Sequence, residues 1–308
     1  MQECSTGCRC AGLAGIEGRG VASPAVEIRK VGVVGLGTMG AGIAQVCIEA
    51  GFETVGRELS TELGEAARAR IDHFLTRKVE KGQLEQHAKD EAIGRLAVTT
   101  GLDAFGDCDL VIEAAFEDLD VKRELVEALD GVLAPDAVIA SNTSALSVTE
   151  IASASSRPQR IVGMHFFNPA PLMKLVEVVR AECTADDVYE AAYAFAGRLG
   201  KVAIRCNDTP GFVVNRVLIP LLNDCVRVLD EARVTPEDLD NAMQYGAGWP
   251  MGPCRLIDLV GIDIHVHAAE ALWQGLREPR MAPPPRIVAM ANAGLLGRKS
   301  GQGFYKYE

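Results

Sequence analysis

Residues 141–177, SNTSALSVTEIASASSRPQRIVGMHFFNPAPLMKLVE, hold most of the groups that could do chemistry, above all Ser144, His165 and Glu177. Two short apolar runs, residues 137–140 and 161–164, have the length and β-branched content of buried strands, and each runs into polar residues: Ser141 to Ser144 after the first, His165 after the second. In an open parallel sheet, ligands bind in the crevice at the carboxyl ends of the strands, so Ser144 and His165 arriving there from separate strands would converge on one small molecule. A third run, residues 175–179, carries a single carboxylate, Glu177, among apolar neighbours. A buried carboxylate needs a partner, and His165 is the nearest basic candidate. A carboxylate that fixes an imidazole's orientation and stabilises its protonated form makes that imidazole a general base. Taken singly, each residue has a plainer reading: histidines at strand ends are more often structural, and strand glutamates often face solvent.

The elements that must position these groups begin with a short buried-type strand, residues 30–34, followed by Gly35-Leu36-Gly37-Thr38-Met39-Gly40 and a helical pattern with Ile43, Val46 and Cys47 on one face. In this strand, glycine turn and helix, Gly35 permits the tight turn, Gly37 lets the backbone approach a pyrophosphate, and Gly40 lets helix pack on strand. The helix N-terminus offers free N–H groups and a positive dipole end to the phosphates. Gly51 ends the helix, residues 52–55 read as the second strand, and Glu58 follows Gly40 by 18 positions, close to the spacing expected of the acid that binds ribose hydroxyls. This predicts a Rossmann-type domain that binds NAD in preference to NADP, whose extra phosphate would meet the Glu58 carboxylate. Arg57 beside it is the one residue that would favour the phosphate.

Bulk properties bound the reading. The 308 residues carry a formal charge of −11 and are 48% hydrophobic, enough for two domains with packed cores. The acidic balance argues against nucleic acid or an anionic membrane as the main partner, and no apolar run reaches the ~20 residues of a membrane span. Six of the nine cysteines fall singly in apolar or helical contexts, which suits reduced thiols in the cytoplasm and not a disulfide framework. Residues 1–28 are rich in Gly, Ala, Ser and Cys, lack periodicity and read as a disordered arm; Cys4, Cys8 and Cys10 lack a fourth ligand, so no metal site is expected.

Residues 60–94 turn helical and polar, with Leu63, Ala67, Ile71, Phe74 and Leu75 on one side and Gly82 at a turn between two helices. Residues 110–115 resume the sheet and lead to Glu117 and Lys122, for which a helix-start acid and a helix-surface lysine are the plain readings. A helix over 186–199 and a strand over 201–205 complete this domain, taken as residues 29–208. The turn cluster at 207–211 opens a helical pattern over 209–308, in which Asn215 stands among apolar neighbours and Thr235-Pro236-Glu237-Asp238 marks a helix start.

The ordered set SNTS, HFFNP, MKLVEV, PGFVVNR, WPMGP and GRKSGQGFY resembles the L-3-hydroxyacyl-CoA dehydrogenase family across residues 30–307, and the monofunctional 3-hydroxybutyryl-CoA dehydrogenases in particular. The resemblance implies an NAD-dependent enzyme with an all-helical second domain that also forms a homodimer interface, acting on an acyl-CoA. It implies His165 as catalytic base, Glu177 as its partner, and Ser144 and Asn215 as hydrogen-bonders to the substrate oxygen. It implies Glu117, Lys122, Asn168 and Lys299 at the cofactor and Lys81, on a protruding helical hairpin, at coenzyme A. Three positions depart from the family: Ala145 follows Ser144 where a second serine is common, Phe74 replaces a serine, and Trp249 replaces a histidine, whose role is lost. Two rivals stand beside this reading: a substrate carried on an acyl carrier protein, and a non-catalytic NAD-binding structural protein.

Overall fold

A computed structural model describes residues 26–307. The first half alternates strands and helices: β1 Lys30–Val34, α1 Thr38–Glu49, β2 Glu53–Arg57, α2 Thr61–Glu80, α3 Gln86–Gly94, β3 Leu96–Thr99, β4 Leu110–Glu113, α4 Leu119–Asp130, β5 Val138–Ser141, α5 Val148–Ala152 and β6 Ile161–Phe166. Then follow β7 Leu175–Arg180, α6 Asp186–Arg198 and β8 Val202–Asn207. The eight strands form one sheet in the order β3-β2-β1-β4-β5-β6-β7-β8. Chain order reverses between β1 and β4, which places a ligand crevice at the carboxyl ends of those two strands.

The sheet is not wholly parallel: β7 pairs antiparallel with β6, and β8 runs with β7. The physical reason is the link across residues 167–174, which is too short to carry the chain back over the sheet. His165 consequently lies inside β6 and not beyond it, and its register partner across the ladder is Glu177. One face of the sheet is covered by α1, α2 and α6 through residues such as Ile43, Ile71 and Phe195, and the other by α4 and α5 through Val126, Leu129 and Ile151. Each such fully buried aliphatic or aromatic side chain stabilises the fold by about 1.5–3 kcal/mol.

The helical hairpin over residues 60–94 is present, with Ser60 accepting from the Leu63 N–H as N-cap of α2 and Gly82 left-handed in the turn after it. Its buried stripe is Gly64, Ala67, Ile71 and Leu75, at helical spacing. Leu63 and Phe74, expected on that face, are each 53% exposed, because only a narrow stripe of a protruding helix meets the sheet. Part of the arm expected over residues 1–28 joins the fold: Ile28 is buried and Arg198 donates to its carbonyl. Residues 1–25, with Cys4, Cys8 and Cys10, lie outside the described residues.

After β8 the chain is helical: α7 Val214–Glu231, α8 Pro236–Asn241, α9 Pro253–Val260, α10 Ile262–Leu276 and α11 Pro285–Asn292. The start of α8 is a full capping box between Thr235 and Asp238, as the sequence indicates. Leu222, Val226, Ile257, Ile262 and Ile287 form the centre of this region. Its C-terminal segment is fastened by two buried carboxylates: Asp240 accepts from the Tyr305 hydroxyl, and Asp258 from the Phe304 and Tyr305 N–H groups and the Tyr307 hydroxyl.

Candidate active site

Three depressions meet the carboxyl edge of the sheet. The first, ≈ 640 Å³, lies over the β1/β4 switch point and is lined by Gly35, Gly37, Glu58, Ala115 and Phe116 among others. Its floor is tightly built. Gly35 has φ +85° and a side chain there would meet the Ala114 carbonyl at 2.9 Å, while one on Gly40 would overlap the Gly35 carbonyl. Gly37, by contrast, faces open space and caps α1 without any side-chain bond, so the first N–H groups of the helix stay available to an anionic group. Those features, with an acid at the end of β2, fit a dinucleotide. Of the remaining loop residues, Leu36 and Met39 turn their side chains to the core, and Thr38 lines a different groove.

Glu58 also braces the backbone around it. Its Oε1 accepts from the Leu36 N–H at 2.7 Å and its Oε2 from its neighbour's N–H at 3.1 Å, tying β2 to the glycine loop. Arg70 on α2 donates to the Leu36 carbonyl at 2.7 Å and braces the same loop from the other side. Sequence reading missed Arg70, since a helix-surface arginine carries no signal of its target. Arg57 lines the same depression and donates through Nε to the Thr100 carbonyl at 3.1 Å.

A buried charge cluster holds the loop after β5. Lys122 on α4 is buried, with Nζ 2.8 and 3.0 Å from the two oxygens of Glu113 at the end of β4 and 3.3 Å from Glu117. The surface-lysine reading of Lys122 is therefore overturned. Its ammonium points at carboxylates, because the turn between β4 and α4 folds the first helical turn back over the strand end. Glu113 also accepts from the Ser141 hydroxyl at 2.7 Å. Glu117 in turn accepts from the Thr143 hydroxyl at 2.7 Å and from the N–H groups of Ser144 at 2.7 Å and Ala145 at 3.2 Å. Burial works to raise the Glu117 pKa, but the Lys122 charge and the bonds from Thr143 and Ser144 outweigh it and hold the carboxyl below its usual range. Glu113 was not singled out from sequence; its one signal is a charged residue closing an apolar strand run, Leu110-Val111-Ile112-Glu113.

His165 Nδ1 lies 2.6 Å from Glu177 Oε2, and both residues are buried. The other glutamate oxygen, Oε1, accepts from the N–H groups of Val213 at 3.1 Å and Val214 at 2.9 Å, at the start of α7. One carboxylate thus joins the histidine to the helical region. With its Nδ1–H donated to Glu177, the imidazole keeps a free lone pair on Nε2, the form a general base requires. Phe167 and Phe212 flank the ring at centroid distances of 4.4 and 5.7 Å, limiting its motion. Asn142 Oδ1 accepts from the Phe166 N–H at 2.9 Å and locks the β5 loop to β6.

Ser144 and Asn215 are brought together as co-lining residues of a smaller pocket, ≈ 170 Å³, between the β5 loop and α7. Asn215 is half-buried at that pocket and not the core asparagine its neighbours suggest; the core asparagine of α7 is Asn223. Lys81 and Asn168 share a third groove, ≈ 420 Å³, between the hairpin and the β6–β7 link, with Phe74, Arg77 and Lys78. Lys299, expected at the cofactor, pairs with Asp263 at 2.6 Å and, like His165, Glu177, Glu117 and Lys122, lines none of the three depressions.

Comparison with known proteins agrees with this geometry. Residues 30–209 match the family model for the 3-hydroxyacyl-CoA dehydrogenase NAD binding domain, and residues 211–307 the model for the 3-hydroxyacyl-CoA dehydrogenase C-terminal domain. A probable 3-hydroxybutyryl-CoA dehydrogenase of Deinococcus radiodurans is 44% identical over 278 residues, covering 90% of this chain and 100% of the relative. A 3-hydroxybutyryl-CoA dehydrogenase of Mycobacterium tuberculosis is 45% identical over 282 residues, covering 91% and 99%. The crystal structure of (S)-3-hydroxybutyryl-CoA dehydrogenase from Ralstonia eutropha superposes with a TM-score of 0.89 at 40% identity, covering 92% of this chain and 100% of that one.

Proposed function

The chain belongs to the 3-hydroxyacyl-CoA dehydrogenase family, an NAD-dependent oxidoreductase family, and on that premise we propose that it interconverts (S)-3-hydroxybutyryl-CoA and acetoacetyl-CoA. The observation that carries the site assignment is the buried His165–Glu177 pair, fixed at its far end by the N-terminus of α7. His165 Nε2 takes the proton of the C3 hydroxyl, and Glu177 stabilises the imidazolium so formed. Ser144, held by Glu117, and Asn215 donate to the C3 oxygen and orient the C3–H toward the crevice. NAD, when bound, supplies the acceptor for the hydride leaving C3. The glycine loop and Glu58 would hold its pyrophosphate and adenosine ribose, and Glu117 and Asn168 would lie toward its nicotinamide end.

The coenzyme A part of the substrate is assigned to the groove with Lys81, where Arg77, Lys78 and Lys81 offer positive charge and Phe74 an apolar face. Among the described residues Lys81 makes no ion pair, in contrast to Lys78, which binds Glu49. A homodimer through the helical region fits its exposed apolar side chains, Val217, Leu259, Ile264 and Trp273. No helix among the described residues is long and apolar enough to cross a membrane, and a cytoplasmic enzyme is the proposed setting.

The test is oxidation of NADH with acetoacetyl-CoA, run beside the same acyl group on an acyl carrier protein. Turnover of the coenzyme A ester is expected, with His165→Ala lowering kcat by about 10²–10⁴-fold while NADH still binds. Turnover of the carrier-protein thioester alone would move the substrate assignment, and near-normal turnover by a folded His165→Ala would remove His165 as base.

A further inference from the structure

We propose that Arg70 couples the two ligands: one guanidinium holds the glycine loop and a phosphate of coenzyme A together, so that coenzyme A and NADH bind synergistically. The inference rests on the assignment of the groove with Lys81 to coenzyme A. Arg70, Phe74, Arg77 and Lys81 recur at helical spacing along α2, so they share one face, and all four line that groove. No aspartate or glutamate lines it. Lys78 is already paired with Glu49, and Arg77 lies 3.9 Å from Glu80. Among the described residues Arg70, like Lys81, has no carboxylate partner, so both are cations at a groove with charge left to satisfy.

Arg70 differs from the rest of that row in reaching the dinucleotide side. Its Nη2 donates to the Leu36 carbonyl at 2.7 Å and to the Gly37 carbonyl at 3.3 Å. The Leu36 N–H donates in turn to Glu58 at 2.7 Å. One loop residue is therefore gripped at its N–H by the side chain assigned to the adenosine ribose, and at its carbonyl by a side chain of the coenzyme A groove. The wall between the two depressions is a single step of chain here, since Gly37 lines the crevice and Thr38 the groove. Arg70 is exposed, and its Nε and Nη1 make no hydrogen bond among the described residues. The N–H groups that the loop leaves free are the kind that phosphate oxygens accept from best.

Ordering supplies the coupling. An exposed arginine is among the side chains that lose most rotamer freedom when held in one place. A phosphate in the groove fixes the guanidinium against the Leu36 carbonyl, and a ribose on Glu58 fixes the loop that carries this carbonyl. Whichever ligand binds first therefore leaves less to be ordered by the second. The phosphate also offsets the positive charge that the NADH pyrophosphate would feel across the loop, which works against coupling. That effect acts through solvent at an exposed position and is screened over a Debye length of about 8 Å at physiological salt, so ordering decides the sign. Linkage makes the effect reciprocal: NADH tightens coenzyme A by the factor by which coenzyme A tightens NADH.

The experiment measures the Kd of NADH by its fluorescence at physiological salt, with and without saturating acetyl-CoA, which has no C3 oxygen to reduce, in the wild type, Arg70→Met and Arg70→Gln. Acetyl-CoA is expected to tighten NADH by about fivefold in the wild type, the lower end of couplings between sites, and by less than about twofold in either variant. S-acetyl-N-acetylcysteamine, the same thioester without phosphates, is expected to leave the Kd unchanged in all three. Wild-type tightening below about twofold, or equal tightening by the phosphate-free thioester, overturns the proposal. So do variants that lose NADH affinity by one factor with and without acetyl-CoA, which is what a loop brace alone would produce. In each of those cases reduction of acetoacetyl-CoA by the wild type leaves the dehydrogenase reading standing, whereas absence of that turnover overturns both together. Two substitutions of different polarity at an exposed position, each checked by far-UV circular dichroism, keep one misfolded variant from deciding the result.

Discussion

Glu177 shows how much of the site depends on which atom of a side chain points where. Its Oε1 accepts from two backbone N–H groups, Val213 and Val214, a task open only to an oxygen. A glutamine at this position would keep its carbonyl on α7 and turn its NH₂ toward His165 Nδ1. The ring would then accept at Nδ1 and carry its proton on Nε2, with no lone pair left for the substrate hydroxyl. Glu177→Gln is therefore expected to lower kcat by about 10²–10⁴-fold, as much as removing His165, although it changes the shape of the side chain hardly at all. Steady-state kcat at saturation, beside NADH binding followed by fluorescence, measures this; a variant within tenfold of wild type would show that the tautomer is set elsewhere. In the sequence, Glu177 is legible as a lone acid in an apolar run that calls for a basic partner. The two amides that fix its orientation lie 36 and 37 positions away and carry no sequence signal.

At the scale of elements, the loop carrying Ser144 owes its position to the junction of β4 with α4. Lys122 and Glu113 form a fully buried ion pair, and Glu117 extends it to Thr143, Ser144 and Ala145. Removing one member of a buried pair strands the other without its counter-charge and costs about 3–5 kcal/mol, whereas removing both costs much less. Lys122→Met is expected to lower the urea midpoint substantially and to raise KM as the Ser144 loop loosens; Glu113→Gln with Lys122→Met should recover more than half of the lost stability. A double variant no more stable than the single one would mean that the pair is not the source of the loss. This junction was partly visible. The strand and the amphipathic helix follow from the pattern of residues 110–130, but whether Lys122 faces water or the strand depends on the path of residues 114–118, which sequence periodicity does not fix.

At the scale of the whole molecule, His265 makes the helical region sensitive to acid. Burial pushes its folded pKa down to about 4, below its ordinary 6.5, so between those values the unfolded chain binds the proton more readily. The stability this contributes is complete above pH 6.5 and is lost as pH falls toward 4, amounting to ~3 kcal/mol. Glu117, whose pKa is held low, acts in the same direction at lower pH. Equilibrium denaturation at pH 7 and pH 4.5 should show the wild type losing more than His265→Gln, which can still donate to Asn223, 2.9 Å from His265 Nε2, but does not titrate. Equal losses would place the acid sensitivity in other groups. The sequence by itself determined the Rossmann-type domain, the glycine loop with Glu58, the hairpin, the helical second half and the pairing of His165 with Glu177, because each rests on local periodicity, turn residues or a motif read in order. Only the tertiary structure decided the reversal of β7, the burial of Lys122, the brace from Arg70, the pairing of Lys299 with Asp263 and the pocket shared by Ser144, Asn215 and His265. Those features arise where segments far apart in the chain meet, and there the direction of a side chain is set by the packing of both partners.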